Sequence, residues 1–247
     1  HSLQPHKHFS QGKNFDFSQI DEYIYFVTGR VLKYFADEKI IQNRYQRAIG
    51  SLIGLCPKME GCKGNFYSYK KVNGQTLYSL LNPVLVKDFL QWAKSDLWKK
   101  NENYLETNFR NVCRDFYYKK TMSRIQMFQQ KTGIEDGESL INGVRSESLK
   151  DILGKIDWKY LSNGVPVNFH GDLQFDNILV VRDEISNLNK FVLLDWRQDF
   201  SGLVDAGDLY YDLAKLYGGT LLSYQLIKEG MFYFDMSGAS IYYNFFL

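Results

Sequence analysis

Histidine is nearly missing from this 247-residue chain: there are four, and three lie within the first eight positions. His170 is therefore alone in the remainder, too few for a metal centre built on imidazoles. Cysteine is as scarce. Cys56, Cys62 and Cys113 are odd in number and widely spread, which argues against a disulfide framework and leads us to expect a reducing, cytoplasmic setting. Cys56 and Cys62 are also too far apart for a zinc ribbon. No run of about 18 apolar residues occurs, so no membrane span is expected. The opening "HSLQPHKHFSQGK" has no apolar stretch of the kind a signal peptide needs. Net charge is only +2, which gives no case for a nucleic-acid partner or an anionic membrane surface. There is no internal repeat and no low-complexity tract.

What is present can fill a core: 45% of residues are hydrophobic, and Tyr and Phe number 18 each. Residues 22–27 and 30–35, "EYIYFV" and "RVLKYF", are rich in β-formers around a Thr28-Gly29 turn, and predict a hairpin. Over 37–53, Ile40, Ile41, Tyr45, Ala48, Ile49 and Leu52 recur at helical spacing, with Asp37 as N-cap. A strand is expected at 65–72, broken by Asn73-Gly74. The order is then β-β-α-β.

Helices dominate the next segment. Asn82-Pro83 reads as a cap and first-turn proline. A second helix is expected over about 105–131, with Phe109, Val112, Phe116, Ile125 and Phe128 inward and Gly133 at its end. Residues 133–148 read as a loop and 147–161 as a short helix. Two strands, in "NFHGDLQFDNILVV" and "KFVLLDW", flank a turn at Glu184–Asn189. A last helix begins at Asp208, with Leu209, Leu213 and Leu216 on one face and Gly218 as stop. Asp212 reads as a solvated or loop-bracing carboxylate. The closing "SIYYNFFL" is apolar, and a longer multidomain chain is expected.

Chemistry concentrates in Asp172, Asn177 and Asp195. Carboxylate and amide oxygens are hard ligands that suit Mg²⁺, which shares its remaining positions with water and phosphate. If the two strands pair as a hairpin, Asn177 at the start of one and Asp195 at the end of the other lie side by side. Asp172 then sits on the preceding loop as acceptor for a hydroxyl proton, and His170 braces that loop.

The stretch "HGDLQFDN", 170–177, with "LDW", 194–196, resembles the paired signature of the aminoglycoside phosphotransferase and choline kinase-like family. The two Asp stand 23 positions apart. The resemblance implies an α+β, two-lobed protein-kinase-like fold. Residues 1–74 would form a small β-rich nucleotide-binding lobe and 75–247 a larger, mainly helical catalytic and substrate-binding lobe, neither end being complete. It implies Mg²⁺ with ATP or GTP, and a small-molecule hydroxyl acceptor such as an amino alcohol, sugar or aminoglycoside. Asp172 would be the catalytic base, and Asn177 and Asp195 the metal ligands. Lys33 in "VLK" would hold the α- and β-phosphates; its ordinary alternative is a strand lysine reaching solvent. Tyr69, Lys71 and Val72 would form the purine-binding hinge. Arg197 and Asp199 are candidate substrate contacts.

The chain departs from that pattern in places. Gly12 is the one candidate for a phosphate loop before Lys33. The stretch "QNRYQRAIG" holds Gln46 where a helix acid would pair with the lysine, and Arg197 comes after Asp-Trp where relatives carry an acid. The missing helix acid and glycine loop support an alternative: a pseudokinase-like regulatory or scaffolding module that binds nucleotide. A metal-dependent hydrolase using His170 and Asp172 as ligands is the third reading.

Overall fold

The computed structural model describes residues 22–182, 188–221, 227 and 229–245. Gly12 and part of the Glu184–Asn189 turn lie outside them. The protein is mixed α+β, with a β-rich N-terminal region and helices after it. Its described residues pack as two compact units, one of those up to Glu106 with those of Gly164–Leu221, the other of Thr107–Asn163 with those after Leu221.

In the first unit, β1 (Glu22–Val27) and β2 (Arg30–Phe35) pair antiparallel with Val27 opposite Arg30, as the Thr28-Gly29 turn predicts. Helix α1 (Glu38–Ile49) starts at Asp37, whose side chain accepts from Lys39 N at 2.8 Å. Strands β3 (Met59–Lys63) and β4 (Phe66–Lys70) complete a four-stranded sheet in the order β1-β2-β4-β3. Sequence reasoning missed β3. "MEGCK" lacks alternation and carries a bulge at Met59/Gly61, so its backbone pairing, not its side chains, makes it a strand. Asn65 Nδ2 donates to Phe35 O at 2.7 Å and Ala36 O at 2.8 Å, tying the β3–β4 turn to the end of β2. Val31, Phe35, Ile41, Tyr67 and Tyr69 form this sheet's core against α1.

The larger core of the first unit begins with β5 (Gln75–Thr76) and α2 (Pro83–Trp92). Asn82 Oδ1 accepts from Leu85 N at 2.9 Å, the expected cap. A π-helical turn, Ala93–Leu97, extends α2. Leu85, Phe89, Ala93 and Leu97 are buried at helical spacing.

In the second unit, α3 (Glu106–Arg114), a π-helical turn (Asp115–Lys119) and α4 (Lys120–Thr132) run consecutively, and Gly133 caps them at φ 68°. Phe109 and Phe116 are buried as expected, but Phe128 is half exposed, on a helix that buries none of its residues. The loop expected at 133–148 is instead a hairpin of β6 (Ser139–Ile141) and β7 (Val144–Ser146). Asn142 and Gly143 both take positive φ there, the two-residue turn that Asn-Gly favours. The helix expected at 147–161 is broken into α5 (Leu149–Gly154) and α6 (Trp158–Leu161), the second capped by Asp157.

Back in the first unit, β8 (Pro166–Val167) leads into an irregular loop, so the strand expected from residue 168 begins only at β9 (Ile178–Arg182). Strand β10 (Asn189–Leu193) pairs antiparallel with β9, and β5 flanks the other side of β9. A short β11 (Gly207–Asp208) pairs with β8 and opens α7 (Leu209–Leu221). Asp208 Oδ1 accepts from Tyr210 N at 3.2 Å, as a cap does. Gly218 does not end α7. The helix runs on to Leu221, and Gly219 lies so close to Phe175 that a Cβ there would sit 3.2 Å from the ring. In the second unit, β12 (Phe232–Ser237) and β13 (Ser240–Phe245) join β6 and β7 in the order β12-β13-β6-β7. No helix among the described residues is long and apolar enough to cross a membrane.

Phe89 is fully buried and meets Phe191 edge-on at 5.2 Å and Trp92 at 5.7 Å. Phe89→Ala is expected to destabilise the protein by about 3–5 kcal/mol in denaturant unfolding. Leu90→Ala, at a half-exposed position on the same helix, should cost under about 1 kcal/mol.

Candidate active site

The β9–β10 register carries the site. Ile178 lies opposite Leu193, and Leu194 N donates to Asn177 O at 2.8 Å. Asn177 and Asp195 are thereby set at one end of the same strand pair. Asn177 also ties back to the loop, since its Nδ2 donates to Asp172 O at 2.8 Å. That bond uses the amide nitrogen and leaves Oδ1 as the ligand-type atom. Asp195 holds φ 55°. Aspartate tolerates that left-handed conformation better than most non-glycine residues, at a cost the surrounding contacts offset.

The loop is held from two sides. Asp212, on the apolar stripe of α7, is fully buried; it accepts His170 N at 2.8 Å, Gly171 N at 2.7 Å and Trp98 Nε1 at 3.1 Å. It is the loop-bracing carboxylate, not a solvated one. Burial raises its pKa to about 6, against the pull of those three donors and of Arg47. Arg47, on α1, is equally buried. Its guanidinium donates to Phe169 O and Arg197 O, reaches His170 O at 3.4 Å, and stacks 4.0 Å over the Phe169 ring. One cation thus spans the backbones of the Asp172 loop and of the segment after Asp195.

His170 is fully buried. Its Nδ1 accepts from Asp172 N at 3.1 Å, so that nitrogen is unprotonated, and the Nε2 proton is donated to Leu194 O at 2.7 Å. Burial holds its pKa down at about 4, opposed by Asp172. With both nitrogens engaged, His170 braces the loop and has no lone pair left for the metal that the hydrolase reading requires. Gly171 has φ +88°, and a Cβ there would lie 2.6 Å from Arg197 Cβ and 2.8 Å from Phe169 Cε2. No other residue fits.

Lys33 is the correction to the solvent-facing alternative: it is 1% exposed, and its Nζ ion-pairs with Asp195, with Glu22 Oε1 at 3.7 Å. The acid therefore comes from β1 and from the second motif rather than from α1. Helix α1 brings Arg44 instead. Its guanidinium lies 4.4 Å over the Phe35 ring. Burial, then Arg44, lowers the Lys33 pKa to about 7, while Glu22 opposes them. The contact with Asp195 favours the protonated amine in the same sense as Glu22.

The remaining candidates scatter. Tyr69 is a core residue paired on both sides within the small sheet, stacked on Tyr67. The Lys71 N–H donates to Gly29 O at 2.9 Å, and Val72 comes after β4 has ended. Arg197 Nε donates to Asp199 O at 2.9 Å, and Asp199 Oδ1 accepts from Gly202 N at 3.0 Å, so both brace the turn after Trp196. Trp196 is 1% exposed and donates from Nε1 to Arg44 O at 2.8 Å, anchoring the segment to α1. An apolar groove of about 710 Å³ along α2, reaching Phe175 and Thr220, has none of Asp172, Asn177 or Asp195 in its lining.

Sequence reasoning missed Glu22, Arg47 and Lys215, whose Nζ lies 2.8 Å from Asp172 Oδ1. Arg47 had a signal. It falls at helical spacing between Ile40, Ile41 and Ala48, so a charge sits on an apolar stripe. Comparison of the chain with protein-family models and with curated proteins returns no match.

Gly171→Ala should destabilise by about 2–4 kcal/mol through crowding and the left-handed backbone, read as a fall in melting temperature. His170 should remain neutral through pH 5 in an NMR titration, against an ordinary midpoint near 6.5. Because its folded pKa is depressed, its contribution to stability is complete above about 6.5 and declines as pH falls toward 4, by up to about 3 kcal/mol. Asp212 works in the opposite sense between about 4 and 6, since its raised pKa lets the native state take up a proton first. An imidazole midpoint near 6.5 would contradict the buried brace.

Proposed function

We propose that the protein is a magnesium-dependent phosphotransferase that moves the γ-phosphate of ATP or GTP to a hydroxyl of a small molecule, within a protein-kinase-like fold and in a cytoplasmic setting. One observation carries the reading: Asp172, Asn177, Asp195 and Lys33 form a connected set. The Asn177 amide is hydrogen-bonded to the backbone of Asp172, Leu194 N donates to Asn177 O beside Asp195, and the Lys33 amine is ion-paired with Asp195. The sheet β1-β2-β4-β3 with α1 against it supports the fold assignment, and the paired "HGDLQFDN" and "LDW" stretches support the aminoglycoside phosphotransferase and choline kinase-like family.

The donor set fits magnesium: an amide oxygen at Asn177 and a carboxylate at Asp195, both hard ligands on adjoining strand ends. When bound, the metal supplies charge neutralisation at the phosphates. Every other task falls to side chains. Lys33, buried beside Asp195, holds the nucleotide phosphates in place of the acids it now meets. Asp172 accepts the proton of the acceptor hydroxyl as that oxygen bonds to the γ-phosphorus. The electron pair of the broken bridging bond leaves with the nucleoside diphosphate. His170 and Asp212 hold Asp172 in place without exchanging a proton with substrate.

A second reading has its own support. Lys33 is closed onto Asp195, and α1 offers Arg44 rather than an acid. These features suit a nucleotide-binding module with weak turnover. The two readings separate in one experiment. Asp172→Asn should bind magnesium-ATP within about threefold of wild type by calorimetry, yet transfer phosphate at least about 100-fold more slowly to an acceptor drawn from amino alcohols, sugars and aminoglycosides. Wild-type binding without transfer favours the module. Nucleotide binding that ignores magnesium rejects both.

A further inference from the structure

Helix α7 grips the loop at two points one turn apart. Asp212 takes the backbone N–H groups of His170 and Gly171, and Lys215, three residues on, places Nζ 2.8 Å from Asp172 Oδ1. Side chains three apart share a helix face, so the same face that fixes the loop's backbone also reaches its carboxylate. Gln174 Nε2 bonds the same oxygen at 3.2 Å. Both donors therefore meet Oδ1, and Oδ2 takes no donor among the described residues. The Lys215 and Asp172 side chains are 31% and 38% exposed, open enough for a small substrate to approach. The Lys215 amine also lies 5.9 Å from the centroid of the Tyr211 ring, which steadies it on α7.

A carboxylate can rotate about its bond to Cβ and present either oxygen. Two donors on one oxygen remove that freedom and decide which oxygen faces outward. We propose that Lys215 is a positioning residue for phosphoryl transfer: by holding Asp172 through Oδ1, it aims Oδ2 at the acceptor hydroxyl. The inference rests on the phosphotransferase reading above. In the step it serves, the acceptor oxygen bonds to the γ-phosphorus and its proton passes to Oδ2. The β,γ-bridging bond breaks, with its electron pair retained by the departing nucleoside diphosphate. Lys215 takes no part in the proton transfer. Nothing in the motif "HGDLQFDN" announces this residue, because it arrives from a helix more than 40 positions downstream.

The test compares wild type, Asp172→Asn, Lys215→Met and Lys215→Arg. Each is assayed with magnesium-ATP against choline, ethanolamine, a hexose and an aminoglycoside, with melting temperature recorded alongside. Lys215→Met should lower kcat about 10- to 100-fold while KM for ATP stays within about twofold. Lys215→Arg, which retains a cation able to reach Oδ1, should recover kcat to within about threefold of wild type. A Lys215→Met enzyme with wild-type kcat, beside an inactive Asp172→Asn, overturns the inference and leaves the phosphotransferase reading standing. Equal loss in the Met and Arg variants, with a fall in melting temperature, assigns Lys215 a purely structural part and also overturns it. A wild-type chain that transfers no phosphate to any of the four acceptors overturns both.

Discussion

The loop that carries Asp172 depends on two charges that water cannot reach. Asp212 holds its N–H groups and Arg47 holds its carbonyls. A buried charge is tolerated only when it is paired and hydrogen-bonded, and removal of either group would leave the other less compensated. Here the compensation is made largely by backbone, so the two ions also define a loop conformation. Arg47 extends the constraint to Arg197 O, and the Asp172 and Asp195 segments are held by one guanidinium. The geometry of the site is thus set by residues on α1 and α7 that have no part in its chemistry.

The charge pattern around Lys33 is unusual. Helix α1 brings the buried Arg47 and the partly buried Arg44 toward this region, and no acid that pairs with the lysine. The chain instead supplies its acids from a strand, Glu22, and from Asp195 itself. A lysine drawn between Arg44 and these carboxylates has its charged form destabilised by burial and restored by contact, so its protonation depends on what occupies the site. Asp195 is held at a left-handed φ within the same network. Its carboxylate direction comes from the surrounding packing rather than from its own preference.

Much of the local structure is legible in the residues. The Thr28-Gly29 hairpin, the Asp37 and Asn82 caps and the Gly133 terminator arise from turn and cap chemistry confined to a few positions. The pairing of the strands around Asn177 and Asp195 comes from two apolar runs with a polar turn between them. Misses have equally physical causes. Strand β3 has no side-chain alternation to display. The β6–β7 hairpin escapes notice although Asn142-Gly143 carries the turn signal, because its flanking strands are three residues each. Gly218 reads as a stop, yet the helix runs on through Gly219, which lies against Phe175.

By itself, the sequence determined the periodicities, the caps and the spacing that sets Asp172, Asn177 and Asp195 on one loop and one strand pair. These are matters of nearest neighbours, where backbone preference and side-chain size act over three or four residues. Tertiary structure decided the rest: that Arg47 meets Phe169, 122 positions away, that Glu22 faces Lys33, and that Lys215 reaches Asp172. Partners of buried charges are chosen by which elements pack together and how much water they exclude. No local preference along the chain encodes that choice.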